Sequence, residues 1–432
     1  MPASLRRTLT LFLMSLLLIQ CNSKRKVQEA PTIKTDTTRL QLVDSIIAAP
    51  EPADTIVFNT STISANDYQE QTINLNTGTS FKLRLLKGLN ITVAAEGFKR
   101  PRFMALSPDG RLFITDLYDR SDNKKGKILI CENWNDSSKK FEKIDTFLSG
   151  LRNPNQVAFY KGYLYIAETQ ALNRYRYEPG SLAPSSPPEI IAHFPDYGLN
   201  YKYGGWHLTR SICFKDDKLY VSVGSSCNAC LETEQARASI LQMNPDGSES
   251  IIFASGLRNS VGIKFIGNQL WATSMGRDLI GGDRPEDLFL QVNQGVHYGW
   301  PFYYQYKNKI YADATFKDST KTNTIAKPPL AYAGLAAHTA PLGFEFMKGF
   351  NDKLIRDAIL VCLHGSNSVS RHRGNEIVKI QGGNNYQPVV TGFLQGNTEK
   401  QRLGRPCDIL MYNERAFFFT DDTNGVLYYV YK

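Results

Sequence analysis

The sequence has few of the residues from which zinc sites and redox-active thiol sites are built. Its 432 residues include seven cysteines and six histidines, and a single Cys-x-x-Cys pair occurs, at Cys227 and Cys230. No second Cys-x-x-Cys and no His-x(3–5)-His follows, which argues against a structural zinc site. EF-hand spacing is absent as well, so a calcium site would have to be built in another way.

The chain also lacks a basic stripe interleaved with aromatic residues, so nucleic acid is not an expected partner. Its formal charge is +9, and loss of residues 1–20 would remove two arginines and no acids, which leaves +7. The basic residues are dispersed, apart from the short run Lys24–Lys26, which would suit an anionic membrane surface. An anionic cofactor held by several arginines would account for part of the excess.

The N-terminal residues MPASLRRTLTLFLMSLLLIQ place two arginines before a short apolar run. The run is too short for an ordinary transmembrane helix and is typical of a signal peptide. Its end, LLIQC, resembles a bacterial lipoprotein signal with Cys21 as the lipidated first residue, although Gln20 departs from the small residue usual there. The alternatives are a plain membrane anchor and an ordinary secretion signal. All three predict an exported protein, and the first predicts a lipid anchor at the cell envelope, facing the periplasm or the outside.

Export bears on the Cys-x-x-Cys pair. Oxidising conditions disfavour a thioredoxin-like dithiol and make a local disulfide between Cys227 and Cys230 the expected state. Because a two-residue spacing strains such a bridge, the alternative is that the pair is reduced and only packs.

Composition divides the rest of the chain. Residues 21–78 are rich in Thr, Ser, Asp, Glu and Pro and are predicted to form a flexible tether between the signal peptide (1–20) and a folded domain (79–432). Within the domain one pattern recurs: an apolar strand, a short turn, and a second strand that ends in small or polar residues. The six copies are 102–116, 155–169, 209–224, 260–275, 342–365 and 407–422.

The repeated hairpins predict the fold. Their turns PDG, YKG, KDD, IGN and YNE are of hairpin type, and no convincing amphipathic helix lies between the copies. Units of this size at a nearly fixed period predict an all-β, six-bladed β-propeller, in preference to a pair of β-sandwiches. Because loops of successive blades converge at one mouth of the central channel, residues beside the hairpins are the candidates for a shared site.

Several such residues could do chemistry. GGWHLTR precedes the third hairpin, where His207 is a candidate general base and the nearby Arg210 would help keep it neutral. Arg258 and Asn259 precede the fourth hairpin. Further candidates flank the fifth and sixth hairpins: His364, Arg371, Arg373, Arg402 and Arg405. Arginines at blade entrances could clamp carboxylates in a bidentate manner.

The stretch MGRDLIGGDRPEDLF follows the fourth hairpin and is rich in glycine and aspartate. Carboxylates and free carbonyls on such a loop suit Ca²⁺, which takes six to eight oxygen ligands. Acidic turns are also common as simple solvated surface, and this alternative stays open from spacing alone.

The chain resembles the soluble quinoprotein sugar dehydrogenases, especially their L-sorbosone dehydrogenase branch. The matching stretches are HLTRSICF, KLYVSVGSSCNACLE, FASGLRNSVGIKF, GRDLIGGDRPEDLF, HYGWPF, HTAPLGFEF, LHGSN and GRPCDILMY…TDD, which run in order over roughly residues 80–432. The resemblance implies a six-bladed propeller that holds pyrroloquinoline quinone (PQQ) with Ca²⁺ over the central channel.

The resemblance also assigns roles. It makes His207 the base that takes the proton of the sugar C1 hydroxyl, and Arg258 with Asn259 the pair that contacts the quinone. It places Ca²⁺ at the carbonyls of Gly276 and Arg277, with Asp287 matching an acid of the family. The cofactor contacts it implies fall on Arg210, His364, Arg402, Arg405 and either Arg371 or Arg373. Ser225 stands where glucose-oxidising members carry an acid, which favours the sorbosone branch and implies a less strongly oriented base.

The sequence therefore predicts an exported, PQQ- and Ca²⁺-dependent aldose or sorbosone dehydrogenase. Its partners would be a small sugar, a cytochrome or quinone that accepts electrons, and a membrane reached through the lipid on Cys21. Two alternatives remain: a non-catalytic carbohydrate-binding propeller, and a metal-dependent lactonase. The lactonase would need a carboxylate cluster at the channel centre, whereas the predicted mouth is rich in arginine.

Overall fold

The repeated segments form antiparallel strands. A computed structural model describes residues 56–196, 206–318, 324–366 and 372–432. Within these ranges two 3-10 helices occur, at Ala65–Asp67 and Glu399–Gln401. The strands are β1 (Tyr68–Asn74), β2 (Ser80–Leu86), β3 (Asn90–Glu96), β4 (Pro101–Leu106), β5 (Leu112–Asp116), β6 (Gly126–Asn135), β7 (Lys140–Leu151), β8 (Gln156–Tyr160), β9 (Tyr163–Ala167), β10 (Ala171–Arg176), β11 (Glu189–His193), β12 (Arg210–Lys215), β13 (Lys218–Val223), β14 (Ser239–Met243), β15 (Ile251–Ser255), β16 (Ile263–Ile266), β17 (Gln269–Ser274), β18 (Asp287–Val292), β19 (Tyr303–Tyr306), β20 (Lys309–Ala312), β21 (Ala333–Leu335), β22 (Pro341–Phe346), β23 (Ile359–Leu363), β24 (Glu376–Gly382), β25 (Asn385–Thr391), β26 (Pro406–Asn413), β27 (Ala416–Asp421) and β28 (Val426–Tyr431).

Local sequence explains the hairpins. In the third copy Lys215 pairs with Lys218, and the two residues between them, Asp216 and Asp217, have φ values of +48° and +56°. Positive φ at both central residues is the conformation whose twist suits a two-residue hairpin, and aspartate tolerates it.

In the described residues the strands form six blade sheets and a separate two-stranded hairpin, β19–β20. Four blades have four consecutive antiparallel strands at their centre, β4–β7, β8–β11, β12–β15 and β22–β25, and a fifth has β16–β18 with β21. The sixth combines β26–β28 with β3. The first strands of the blades, β4, β8, β12, β16, β22 and β26, contact one another in that order, and β26 contacts β4. The ring is closed, and the predicted six-bladed β-propeller is confirmed.

Two features hold the ring together. The core lies between neighbouring sheets, as where Phe113 of β5 packs with Leu164 and Ile166 of β9. In addition, β3 pairs along its length with β28, so a strand near the start of the domain completes the last blade. Hydrogen bonds between the two ends of the domain resist opening of the ring.

The fold begins earlier than the predicted tether boundary at residue 78. Strand β1 pairs with β2, and β2 adds to the outer edge of β25, so the fifth sheet has six strands. Upstream of β1, Phe58 packs edge-on against Trp271 and Tyr332. Buried Lys379 donates from Nζ to Asn59 Oδ1 and to Ser61 O (3.1 and 3.0 Å). Residues 56–78 are therefore part of the domain, because their few apolar side chains and a buried cation fasten them to it.

The rest of the predicted leader, with the signal peptide and Cys21, lies outside the described residues. In the parts of the chain that the structure describes, no helix is long and apolar enough to cross a membrane.

Candidate active site

A cavity opens at one end of the central channel, with about 1780 Å³ of empty space including its open mouth. Its lining is charged and comes from all parts of the ring. Five arginines, three aspartates and three histidines of the described chain contribute: Arg100, Arg102, Arg120, Arg258, Arg405, Asp278, Asp287, Asp422, His207, His338 and His364. The five arginines outnumber the three carboxylates, so the cavity suits a ligand with several negative charges.

His207 stands in this cavity just before β12. Its Nδ1 lies 2.9 Å from Ser225 O and 3.0 Å from Ser225 Oγ. The carbonyl can only accept, and the hydroxyl donates its own proton to Cys227 O (2.7 Å). Nδ1 must therefore carry the hydrogen, which leaves Nε2 as the nitrogen that can take a proton. Ser225 thus orients the His207 ring more firmly than the absence of a carboxylate at position 225 implied.

The protonation state of His207 follows from its surroundings. Burial, and then the positive charge of Arg258, lower the pKa of His207 well below its usual value. The ring is neutral at pH 7, as a general base must be.

The backbone around His207 is shaped to bring the ring close to β13. Its φ is +50°, and a Cβ on Gly224 would stand 2.5 Å from the Cβ of His207. Arg210 does not line the cavity. It is fully buried and donates to His207 O (2.6 Å), Thr209 O (3.0 Å) and Pro195 O (2.8 Å). In place of the expected cofactor contact, Arg210 holds the backbone that carries His207.

Arg258 and Asn259 both line the cavity, as predicted. Arg258 is buried and donates from Nε to Asn228 O (2.9 Å) and from Nη2 to Asn228 Oδ1 (3.0 Å). Burial lowers the pKa of Arg258 to about 10, so the guanidinium stays charged at neutral pH. The charge is held beside Trp206, whose ring centroid is 5.8 Å from the guanidinium carbon.

A second group of charges comes from the fifth, sixth and first blades. Asp422 accepts from His364 Nε2 (2.8 Å) and Arg102 Nη1 (2.9 Å), and lies 3.6 Å from Arg100 Nε. Arg405 donates to His364 O and Gly365 O (2.9 and 2.5 Å).

Burial would raise the pKa of Asp422, but the hydrogen bond from His364 and the charges of Arg102 and Arg100 hold it well below its usual range. Burial and Arg405 lower the pKa of His364 to about 3, so that ring is neutral.

The remaining predicted arginines do not reach the cavity lining in the described residues. Arg402 pairs with Glu399 (3.0 Å) and donates to Ser366 O (2.6 Å). Arg373 pairs with Asp283 and donates to Ala337 O. The other candidate of that pair, Arg371, lies outside the described residues.

Hydrogen bonds to the Asp287 carboxylate hold the predicted calcium loop in place. One carboxylate oxygen accepts from Gly276 N (2.8 Å), and the other accepts from Ala340 N (2.8 Å) and Thr339 Oγ1 (3.1 Å). The Arg277 side chain turns away to Asp313 (2.7 Å). Asp287 therefore shapes the loop through amide groups, and any Ca²⁺ here would depend on backbone carbonyls and a bound ligand.

Cys227 and Cys230 form a disulfide on the rim next to Asn228. Together with Glu232 they are the one group of three or more acidic, histidine or cysteine residues in the described ranges whose ligand atoms lie within 4.8 Å of one another. Because both sulfurs are used in the disulfide, the group supports neither a zinc site nor the carboxylate cluster of a lactonase.

Sequence reasoning missed several lining residues. Arg100 precedes the first hairpin copy and Arg102 is its first residue, so their position beside a hairpin could have identified them, as it did Arg258 before the fourth copy. Asp422 ends the sixth hairpin within TDD, where the same rule applies. His338, whose Nδ1 lies 3.0 Å from Asp278, shortly precedes the fifth hairpin copy, so its position beside a hairpin could have identified it as well.

Comparison with known proteins agrees with the predicted resemblance. Residues 83–287 match the TrAA12-like family model. A protein of Borreliella burgdorferi is 27% identical over 381 residues, which cover 84% of this chain and 92% of that protein; its name, "Uncharacterized protein", states no activity.

Among solved structures, the holo PQQ domain of a pyranose dehydrogenase from Coprinopsis cinerea superposes with a TM-score of 0.66 at 15% identity, covering 82% of this chain and 97% of that one. A calcium structure of a family AA12 enzyme of Trichoderma reesei gives 0.64 at 16%, covering 80% and 96%. A PQQ-bound aldose sugar dehydrogenase of Streptomyces coelicolor gives 0.54 at 16%, covering 80% and 99%. At these identities the superpositions establish the shared fold.

Proposed function

Because residues 83–287 match the TrAA12-like family and the fold is that of PQQ-binding sugar dehydrogenases, we propose that this protein is a quinoprotein oxidoreductase acting on sugars. The substrate class is an aldose or a sorbosone-like sugar, oxidised at C1 as the hydroxyl or the aldehyde hydrate. The cofactors are PQQ and Ca²⁺.

One observation carries the proposal: a neutral histidine with Nε2 available as proton acceptor stands in a cavity lined by arginines. A base alone would fit a hydrolase, and arginines alone would fit any anion site. Together they match an oxidation that needs a proton acceptor and a bound, negatively charged electron acceptor.

The arginines fit PQQ, a planar quinone with several carboxylates. Arg100, Arg102 and Arg405 approach from one group of blades and Arg258 from another, so anionic groups on opposite parts of a ligand can be met. Asp422 neutralises only part of the first group. In addition, the buried Nε of Arg100 makes no hydrogen bond to the described residues, so this donor is available to a bound ligand.

The donors for Ca²⁺ are oxygen atoms, the ligand type this ion prefers. The backbone carbonyls of Gly276 and Arg277 are the candidates, and Asp287 holds their loop by accepting from Gly276 N. Since no cluster of carboxylates surrounds them in the described chain, bound PQQ would have to complete the coordination.

In the proposed reaction the sugar C1 hydroxyl gives its proton to Nε2 of His207 while the C1 hydride leaves with its electron pair. When bound, PQQ would supply the hydride acceptor, and Ca²⁺ held at the carbonyls of Gly276 and Arg277 would act as a Lewis acid. Arg258 places a fixed positive charge in the cavity that would stabilise negative charge developing on the acceptor. Since burial disfavours the protonated His207 ring, the proton it takes is released readily to solvent at the cavity mouth.

We further propose that the protein is exported and attached to the cell envelope by a lipid on Cys21. Its partners are then the sugar, the membrane and a cytochrome or quinone that reoxidises the cofactor. The apolar run before Cys21 supports this proposal.

The test is reconstitution of the full chain with PQQ and Ca²⁺, followed by dye reduction with a panel of aldoses and sorbosone. We expect a PQQ spectrum and sugar-dependent turnover. His207→Ala should keep PQQ binding and lose roughly 10²- to 10⁴-fold in rate, and unchanged turnover would rule out His207 as the base. Sugar binding without PQQ binding or dye reduction would favour a non-catalytic carbohydrate-binding protein.

A further inference from the structure

The segment Ser225–Asn228, which follows β13, contacts both residues that have a role in the proposed reaction, His207 and Arg258. At one end, Ser225 O and Oγ accept from His207 Nδ1 (2.9 and 3.0 Å). At the other end, Asn228 accepts both hydrogen bonds from Arg258 (2.9 and 3.0 Å). Four consecutive residues therefore set how far apart the base and the cation stand.

Asn228 also joins two blades. Its Oδ1 accepts from Asp278 N (2.8 Å) and its Nδ2 donates to Asp278 O (3.1 Å), so the side-chain amide pairs with both backbone groups of one residue. Its backbone oxygen accepts from Trp300 Nε1 (3.2 Å) as well as from Arg258. Loss of the Asn228 side chain would therefore remove hydrogen bonds from Arg258 and from the loop that carries Gly276.

The segment is fastened at three further points. The disulfide closes a loop from Cys227 to Cys230. Ser226 donates from N and Oγ to Glu232 (2.7 Å each). Ser225 Oγ donates to Cys227 O (2.7 Å). These constraints restrict the conformations of the loop in advance. Less conformational entropy is therefore lost when the loop holds Arg258 in place.

We propose that Asn228 is a positioning residue for sugar oxidation, and that the Cys227–Cys230 disulfide holds Asn228 where it orients Arg258 and the Gly276–Asp278 loop. The inference rests on the proposed function and extends it to residues that would touch neither substrate nor cofactor. It gives the disulfide a role in geometry, with no thiol chemistry of its own.

The test compares the full-length wild type with Asn228→Ala and with the double variant Cys227→Ser/Cys230→Ser. Mutation is preferable to chemical reduction, because reductants also reduce quinones. Asn244→Ala is the matched control, since Asn244 sits on the turn after β14 and bonds Lys218 and Ser248 away from the cavity. Three measurements are made: the crystal structure of each protein without cofactor, PQQ affinity, and kcat and KM for the sugar.

In Asn228→Ala and in the double variant we expect the Arg258 guanidinium or the Gly276–Asp278 loop to move by about 1 Å, a displacement large enough to matter for catalysis. PQQ affinity or kcat should fall roughly 10- to 100-fold, as when groups that orient metal ligands are removed. The sugar KM should stay within about twofold, because a positioning defect affects the reacting geometry more than ground-state binding. Asn244→Ala should match the wild type.

The inference is overturned if Arg258 and the loop keep their places in Asn228→Ala and the kinetics equal those of the control. It is equally overturned if the apparent kcat falls only in proportion to the fraction of folded protein, because a loss of folded protein lowers the apparent kcat and leaves KM unchanged. A wild type that neither binds PQQ nor oxidises sugars would instead remove the proposed function, and the cofactor-free crystal structures would still decide whether Asn228 positions Arg258.

Discussion

Asp422→Asn offers a demanding test of the charge balance in the cavity. The Asp422 carboxylate is buried, lies 2.9 Å from Arg102 Nη1 and 3.6 Å from Arg100 Nε, and accepts from His364. Asparagine has nearly the same shape but no charge, so the buried guanidinium of Arg102 and the half-buried one of Arg100 would lose their counter-ion. Breaking a buried pair by removing one partner typically costs about 3–5 kcal/mol.

That cost converts into a measurable change in melting temperature. With about 2.1 cal/mol/K of unfolding entropy per residue, the unit Pro52–Lys432 gains roughly 0.8 kcal/mol/K on unfolding. The expected decrease in Tm is therefore about 4–6 °C for Asp422→Asn, measured without cofactor by calorimetry or dye-based melting.

Asp408→Asn is the matched control, because Asp408 is equally buried and lies in the same blade. Burial raises the pKa of Asp408 to about 7, so this side chain is partly neutral at pH 7 and loses less on becoming an amide. Its substitution should cost clearly less than that of Asp422. PQQ should also raise the Tm of Asp422→Asn more than that of the wild type, because the carboxylates of PQQ would compensate the guanidinium charge that has lost its counter-ion. A Tm decrease equal for the two variants, or below about 1 °C for Asp422→Asn, would refute the reasoning.

Three further predictions follow from the site and the fold. Because the pKa of His207 is lowered, its ring is already neutral well below pH 6.5. The value of kcat/KM should therefore stay level from pH 7.5 down to about pH 6 and fall only at lower pH. A decline centred at pH 6.5 or above would contradict the environment assigned to His207. Chelation should abolish dye reduction, with recovery on adding Ca²⁺ but not Na⁺, and full activity in excess chelator would exclude the metal role. Phe58→Ala should lower the free energy of unfolding by about 2 kcal/mol in urea titrations, less than a fully buried phenylalanine because Phe58 is half-buried. Val57→Ala, at an 81% exposed neighbour, should have no effect, and equal stability of the two variants would show that the segment before β1 is not anchored as described.

The number of blades and most of the site could be predicted from sequence, because both depend on local patterns. A hairpin is encoded by alternation and by its turn residues, and six copies leave little choice of architecture. The rule that residues beside the hairpins face the mouth correctly placed His207, Arg258, Asn259, His364 and Arg405 at the cavity.

The same rule misplaced other residues, because it gives position along the chain but not the direction of a side chain. Arg210 satisfies the rule, yet its guanidinium turns into the protein and binds three carbonyls. Arg402 likewise pairs with Glu399 and a carbonyl outside the cavity lining. Whether an arginine points to a cavity or into the body of a blade depends on which acceptors the neighbouring loops supply.

By itself, then, the sequence determined the repeat, the six-bladed ring and the general location of a cationic site that contains His207, the candidate base. Only the tertiary structure decided which charges meet, as with Arg102 and Asp422, which are 320 positions apart and in different blades. It also decided that residues 56–78 belong to the domain, and that the Cys-x-x-Cys loop presents Asn228 to Arg258. The physical reason is the same in each case: these contacts join segments distant in sequence, and they form because closing the ring buries polar groups that must then find partners.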